Sequence, residues 1–168
     1  MKKQIIESGI LFEIEEEYLY HIEGSQLVKN TKYFKSPEFI YLEKGRIVMV
    51  EAKTSAPHPS SKENFKNYLS DIREKFFNAM ALLNACWSQR NVAELNMMPL
   101  SLQQQTMPGA QFQLYLVVAK AKEEWLPNIN DALKSELQIL FKIWCIPDTS
   151  IRVITKEKAI QLGLAAES

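Results

Sequence analysis

Ser36-Pro37-Glu38-Phe39-Ile40-Tyr41-Leu42-Glu43-Lys44-Gly45-Arg46-Ile47-Val48-Met49-Val50-Glu51-Ala52-Lys53 is the stretch on which the fold turns. Two runs of β-branched and aromatic residues flank Lys44-Gly45, a pair that reads as a hairpin turn. In the second run Ile47 and Met49 fall on one face and Val48 and Val50 on the other. A strand apolar on both faces belongs in the centre of a sheet. The hairpin also sets a register. With a two-residue loop Glu43 faces Arg46, and stepping outward places Glu38 opposite Glu51, their Cβ atoms about 4.5–5.5 Å apart on a shared face. A four-residue loop keeps this register, whereas a three-residue loop with a bulge shifts it by one.

Upstream, Ile10, Phe12 and Ile14 alternate with Leu11, Glu13 and Glu15, and Tyr18, Tyr20 and Ile22 resume the apolar side. Period two predicts strands here, with Glu15-Glu16-Glu17 at a solvated bend. Gly24-Ser25 reads as a turn before a polar stretch through Lys32. Downstream, Pro57-His58-Pro59 breaks the chain, and Ser60 with Glu63 spells a capping box. Phe65, Leu69, Ile72, Phe76, Met80, Leu83 and Trp87 then recur at steps of three and four, the mark of a long amphipathic helix. Asn96 to Gly109 reads as a long loop. A strand over Gln111–Ala119, a helical stripe from Leu126 to Trp144, a short strand over Ile151–Ile154 and a small helix from about Thr155 to Leu162 complete the chain. The order predicts an α/β fold around one mixed sheet. Neither a repeat nor a linker interrupts it, so residues 1–168 read as a single domain.

Composition limits the function classes. The 168 residues are 46% hydrophobic and 24% charged, which excludes intrinsic disorder, and two cysteines cannot staple a chain this long. No apolar run approaches the roughly 18 residues that span a bilayer. The amino-terminal basic pair meets Glu7 before a signal-peptide core can form, so a cytoplasmic protein with reduced cysteines is expected. Lys plus Arg and Asp plus Glu both total 20, so the net charge is zero. A protein that grips nucleic acid by phosphate contacts alone usually carries a basic excess. Any such role here must rest on local patches or on a site with a metal charge of its own.

Glu51-Ala52-Lys53 is a common tripeptide, but its context is not common. A carboxylate and a lysine two apart on a strand share a face, and here they end a strand otherwise apolar on both sides. Charge placed there needs compensation. Two opposed carboxylates repel, and a divalent cation between Glu38 and Glu51 removes the conflict. The plainer reading is a strand-end ion pair in which Lys53 bridges two acids.

Pro37-Glu38, followed by Glu51-Ala52-Lys53 on the next strand, resembles the active-site motif of the PD-(D/E)xK nuclease superfamily. The likeness covers roughly Gly9 to Trp87, with Glu38 standing where the pattern more often has Asp. It implies a restriction-endonuclease-like fold, a mixed central sheet flanked by helices. It also implies a metal-dependent nuclease hydrolysing phosphodiester bonds in nucleic acid, with DNA the favoured partner. Glu38, Glu51 and the backbone carbonyl of Ala52 would hold magnesium, with manganese the alternative ion. Lys53 would orient the attacking water and stabilise charge on the scissile phosphate. Glu38, Glu51 and Lys53 are thus the implied catalytic set. An upstream acid often completes such sites, and Glu23 is the candidate, although by itself it reads as an exposed strand acid. Asn64 and Tyr68 loosely match a polar helix motif of some members. The alternative is a non-catalytic binding module of the same fold within a larger complex. A homodimer is compatible with the sequence, but no seam supports one.

The remaining chemistry-bearing residues read plainly. His21 and His58 lack neighbours of metal-ligand type and read as surface histidines, and Cys86 and Cys145 as core. Trp87 and Trp144 read as core, with Trp125 more exposed. Lys62, Lys66 and Arg73 suggest a phosphate track, but Glu63, Asp71 and Glu74 interleave with them as on a salt-bridged face. No phosphate-binding glycine loop is present, which argues against nucleotide-dependent transfer.

Overall fold

The computed structural model describes residues 1–167 and is α/β. It opens with a hairpin, β1 (Lys2–Glu7) and β2 (Ile10–Glu15). Its turn, Ser8-Gly9, holds both residues at left-handed φ, 52° and 78°. Such turns match the twist of the strands they join. Ile10, Phe12 and Ile14 of β2 are buried, as their alternation predicts. Strand β1 was not foreseen, because Ile5 is its one buried residue. A single 3-10 turn at Glu16–Tyr18 leads into β3 (Leu19–Tyr20). The polar stretch beyond becomes a short helix rather than coil, α1 (Gln26–Asn30), where Ser25 Oγ accepts from the Val28 N–H at 3.2 Å.

The deciding hairpin forms in the expected register. Strands β4 (Phe39–Glu43) and β5 (Arg46–Lys53) pair from Glu43↔Arg46 to Phe39↔Val50 across a two-residue turn, with Lys44 and Gly45 at φ 48° and 76°. Helix α2 (Lys62–Trp87) follows over 26 residues. Its cap differs from the expected box: Ser61 is the N-cap and makes no side-chain cap bond, while Ser60 Oγ lies 2.6 Å from His58 Nδ1. The hydroxyl is already engaged, so it does not cap. Two short helices, α3 (Val92–Leu95) and α4 (Leu100–Gln103), bring structure to what reads as a loop. Strand β6 (Gln111–Val118) follows. The next helical stripe is divided at Leu137 into α5 (Leu126–Glu136) and α6 (Gln138–Trp144). Strand β7 (Ile151–Thr155), helix α7 (Lys156–Gln161) and strand β8 (Ala165–Ala166) end the fold.

The strands build two sheets, where the sequence reading expected one. The five-stranded sheet runs β3-β4-β5-β6-β7, antiparallel up to β5 and parallel from β5 to β7, and β5 is its centre. A second sheet, β1-β2-β8, is antiparallel throughout. The turn at Glu16–Tyr18 lets β2 and β3 part into different sheets, which period-two patterning cannot show.

Each face of the central sheet has its own core. On one face Ile47, Met49, Leu114 and Leu116 pack with Leu69, Ile72, Phe76 and Met80 of α2 and Ile129 and Leu133 of α5. On the other, Phe39, Tyr41, Val48 and Val50 meet Ile5, Ile10, Phe12 and Ile14 of the small sheet. Phe12 and Phe39 make an edge-to-face pair at 5.0 Å there. Full burial of such side chains stabilises by about 1.5–3 kcal/mol each. Cys86 is buried as expected, whereas Cys145 is exposed, because it ends α6 in a left-handed conformation at φ 51°. Trp87 and Trp144 are half-buried rather than fully internal, and Trp87 Nε1 donates to the Leu102 carbonyl at 2.9 Å. No helix among the described residues is long and apolar enough to cross a membrane.

Candidate metal centre

Alternation along β5 decides the site. Ile47 and Met49 point into the core beneath α2, so Glu51 and Lys53 continue the same face at the strand's carboxyl end. Glu51 is completely buried. Its Oε1 receives Lys75 Nζ at 2.7 Å and Lys53 Nζ at 3.1 Å, while its Oε2 has no partner. Lys53 Nζ also lies 3.2 Å from Asp71 Oδ2. Lys35 meets the other oxygen of Asp71 at 3.1 Å. Tyr68, Asp71 and Lys75 stand at steps of three and four on α2 and therefore share the face that covers β5. The Tyr68 hydroxyl is buried without a partner.

Glu38 sits just before β4, where its N–H donates to the Val50 carbonyl at 2.9 Å. The paired register thus ends one step short of Glu38, yet the residue stays beside the end of β5. It is 5% exposed, and its Oε2 has no partner. Glu23, on a single 3-10 turn at Ile22–Gly24, reaches its carboxyl within hydrogen-bonding range. Burial pushes Glu38 up to about 9, helped by that bond and by the charges of Glu51, Glu23 and Glu7. Burial also raises Glu51, against the pull of Lys75 and Lys53. For Lys53, burial works downward, but Glu51 and Asp71 outweigh it and hold the ammonium above its ordinary range.

The sequence-derived residues therefore largely converge. Glu38, Glu51, Lys53 and Glu23 meet at one end of the central strand, and Tyr68 joins them. The Ala52 carbonyl faces the turn of the first hairpin, where Ser8 Oγ donates to it at 3.2 Å. Asn64 is exposed on the first turn of α2. Lys62, Lys66 and Arg73 are exposed as well, and Arg73 pairs with Glu136 at 3.2 Å.

Reading the sequence missed Glu7, His21, Asp71 and Lys75. Continuing the helical step from Tyr68 leads to Asp71 and Lys75, so that signal was present. His21 does not fit the reading of a surface histidine without ligand-type neighbours. It is half-buried, its Nε2 has no partner, and it lies beside Glu7 and Glu23. Burial lowers its proton affinity, with Lys3 adding to the effect. Glu7 comes from the unforeseen strand β1, so nothing near His21 in sequence announces it.

The charges of three acids, Glu51, Glu23 and Glu7, all act on Glu38 here. Buried polar atoms are nearly always paired, so two orphaned carboxylate oxygens are exceptional. Hard oxygen donors of this kind suit magnesium or manganese, and the residues present fit such an ion. Compared with protein-family models, curated proteins and solved structures, the chain matches none of them.

Proposed function

We propose that the chain is a divalent-metal-dependent nuclease of restriction-endonuclease-like fold, hydrolysing phosphodiester bonds in nucleic acid, with DNA the favoured substrate. One observation carries this reading: Glu38 and Glu51 each bury an unpartnered carboxylate oxygen at the end of the central strand, where Glu51 also meets the ammonium of Lys53. A cytoplasmic location and a single nuclease-like domain belong to the same proposal.

Glu38, Glu51 and the Ala52 carbonyl are the residues that would hold magnesium or manganese, with Glu23 beside Glu38. When bound, the ion supplies Lewis-acid stabilisation of the phosphate and lowers the proton affinity of water. Lys75, with both Glu51 oxygens to choose from, takes Oε1 and leaves Oε2 free. It is a positioning residue. Lys53 stays protonated between Glu51 and Asp71, so it offers a fixed positive charge to a developing phosphate oxyanion. Asp71 keeps that ammonium from swinging away.

The test is plasmid nicking by the purified protein with magnesium, with manganese and with a chelator. Cleavage is expected with either ion and none with the chelator. Lys53→Ala should lose on the order of 10²–10³ in rate, the usual scale for a preorganised donor, while still binding the ion. Equal cleavage by Lys53→Ala would remove Lys53 from the mechanism. Nucleic-acid binding without cleavage by the native protein would instead establish the non-catalytic module.

A further inference from the structure

We infer that Glu7, His21 and Glu23 form a second cation site that takes a first-row ion such as zinc in preference to magnesium. Their ligand atoms all lie within 4.8 Å of one another. Donors on a tetrahedral zinc ion, with bonds of about 2.0–2.2 Å, stand about 3.5 Å apart, so an ion there would draw the three side chains together by about an ångström. Two segments supply the three, Glu7 from the end of β1 and His21 with Glu23 from the stretch after β3. Folding, not local sequence, assembles them.

Two observations separate this cluster from an ordinary patch of surface acids. Glu38, 5% exposed and with Oε2 unpartnered, is within hydrogen-bonding range of Glu23 and feels the charges of Glu7 and Glu23. A buried carboxyl with one unpartnered oxygen thus lies beside the cluster. The second observation is the imidazole. His21 Nε2 is buried and has no partner, which is exceptional for a ring nitrogen. The ring rests over Gly24, where an added Cβ would stand 3.1 Å from Nδ1. A side chain at residue 24 would therefore push the ring by a few tenths of an ångström. An all-oxygen cluster favours magnesium or calcium, whereas an imidazole donor shifts preference towards zinc, whose nitrogen bonds are strong.

The inference adds an ion to the proposed nuclease centre but does not require that centre to cleave anything. The chain has two histidines, His21 and His58, which makes a direct measurement simple. Metal-free protein labelled with ¹⁵N-histidine is titrated with zinc alone, with His58→Gln assigning the signals. A ring-nitrogen resonance of His21 should shift and saturate at one equivalent, and a tenfold excess of magnesium, on the order of the selectivity expected, should not reverse it. Glu7→Gln should weaken zinc binding by roughly tenfold or more, and Glu51→Gln should leave the His21 response in place. Zinc that leaves His21 unmoved in the native protein overturns the site, whether or not the variants fold. An equal response in folded Glu7→Gln overturns the ligand set. Plasmid cleavage with a silent His21 would sink this inference alone; a shifting His21 without cleavage would sink the nuclease reading alone.

Discussion

Burial, the Glu23 carboxyl and the charges of Glu51, Glu23 and Glu7 push Glu38 up to about 9, whereas an unfolded glutamate releases its proton near 4.5. Between those values the folded state holds a proton that the unfolded state has lost. Raising the pH across that window therefore favours unfolding, and the stabilisation present below about 4.5 is gone above about 9. Metal-free Glu38→Gln should show a shallower fall in melting temperature over this range. At neutral pH it should be as stable as the native protein or more so, although most substitutions destabilise. A loss of roughly 3 kcal/mol or more would mean that Glu38 serves as a buried ion-pair partner. Magnesium should raise the melting temperature of the native chain by mass action and that of Glu38→Gln much less. Equal shifts would place the ion elsewhere. At this scale Glu38, Glu51 and Lys53 were legible because strand period and hairpin register depend on neighbours in sequence. His21 was not, since its partner Glu7 is brought to it only by tertiary packing.

Among the elements, β5 and α2 depend on each other through charge as well as through oil. The strand buries Glu51 completely, and the helix answers with Lys75, itself 14% exposed, at 2.7 Å. Lys75→Met leaves Glu51 with Lys53 alone and should cost about 1.5–3 kcal/mol in urea unfolding, the range for hydrogen bonds to charged groups. Adding Glu51→Gln should recover part of that loss, because a neutral amide no longer demands the second ammonium. A cost below about 0.5 kcal/mol would put the pair with surface ion pairs, which contribute little. The length of α2 was readable from its apolar stripe. Its polar face was not, because Lys75 and Arg73 look alike in sequence and differ only in what lies opposite. Arg73 meets Glu136 at the surface, and Lys75 meets the buried strand end. The division of the later stripe at Leu137 also escaped detection, since the apolar spacing runs through the break.

The whole molecule has no net charge, so it cannot hold a polyanion as a basic protein does. Binding of a DNA oligonucleotide to Lys53→Ala should therefore need magnesium and should weaken gently with salt. A log–log slope shallower than about −3 is expected, against steeper values for proteins that neutralise many phosphates. Tight, steeply salt-dependent binding without the ion, read by fluorescence anisotropy, would point to a basic groove instead. The α/β class and the central position of β5 were legible in the sequence, whereas the second sheet was not. Its strands β1 and β8 carry little apolar periodicity of their own. That sheet bears on timing during synthesis. The hairpin whose tip supplies Glu7 and Ser8 rests on Val117, Ile154, Ala159 and Leu164, and β2 pairs with Ala165–Ala166. A ribosome finishes Glu38, Glu51, Lys53 and Lys75 long before it reaches those residues. An interrupted chain thus carries every residue of the motif but lacks the bed that brings Glu7 and Ser8 to it.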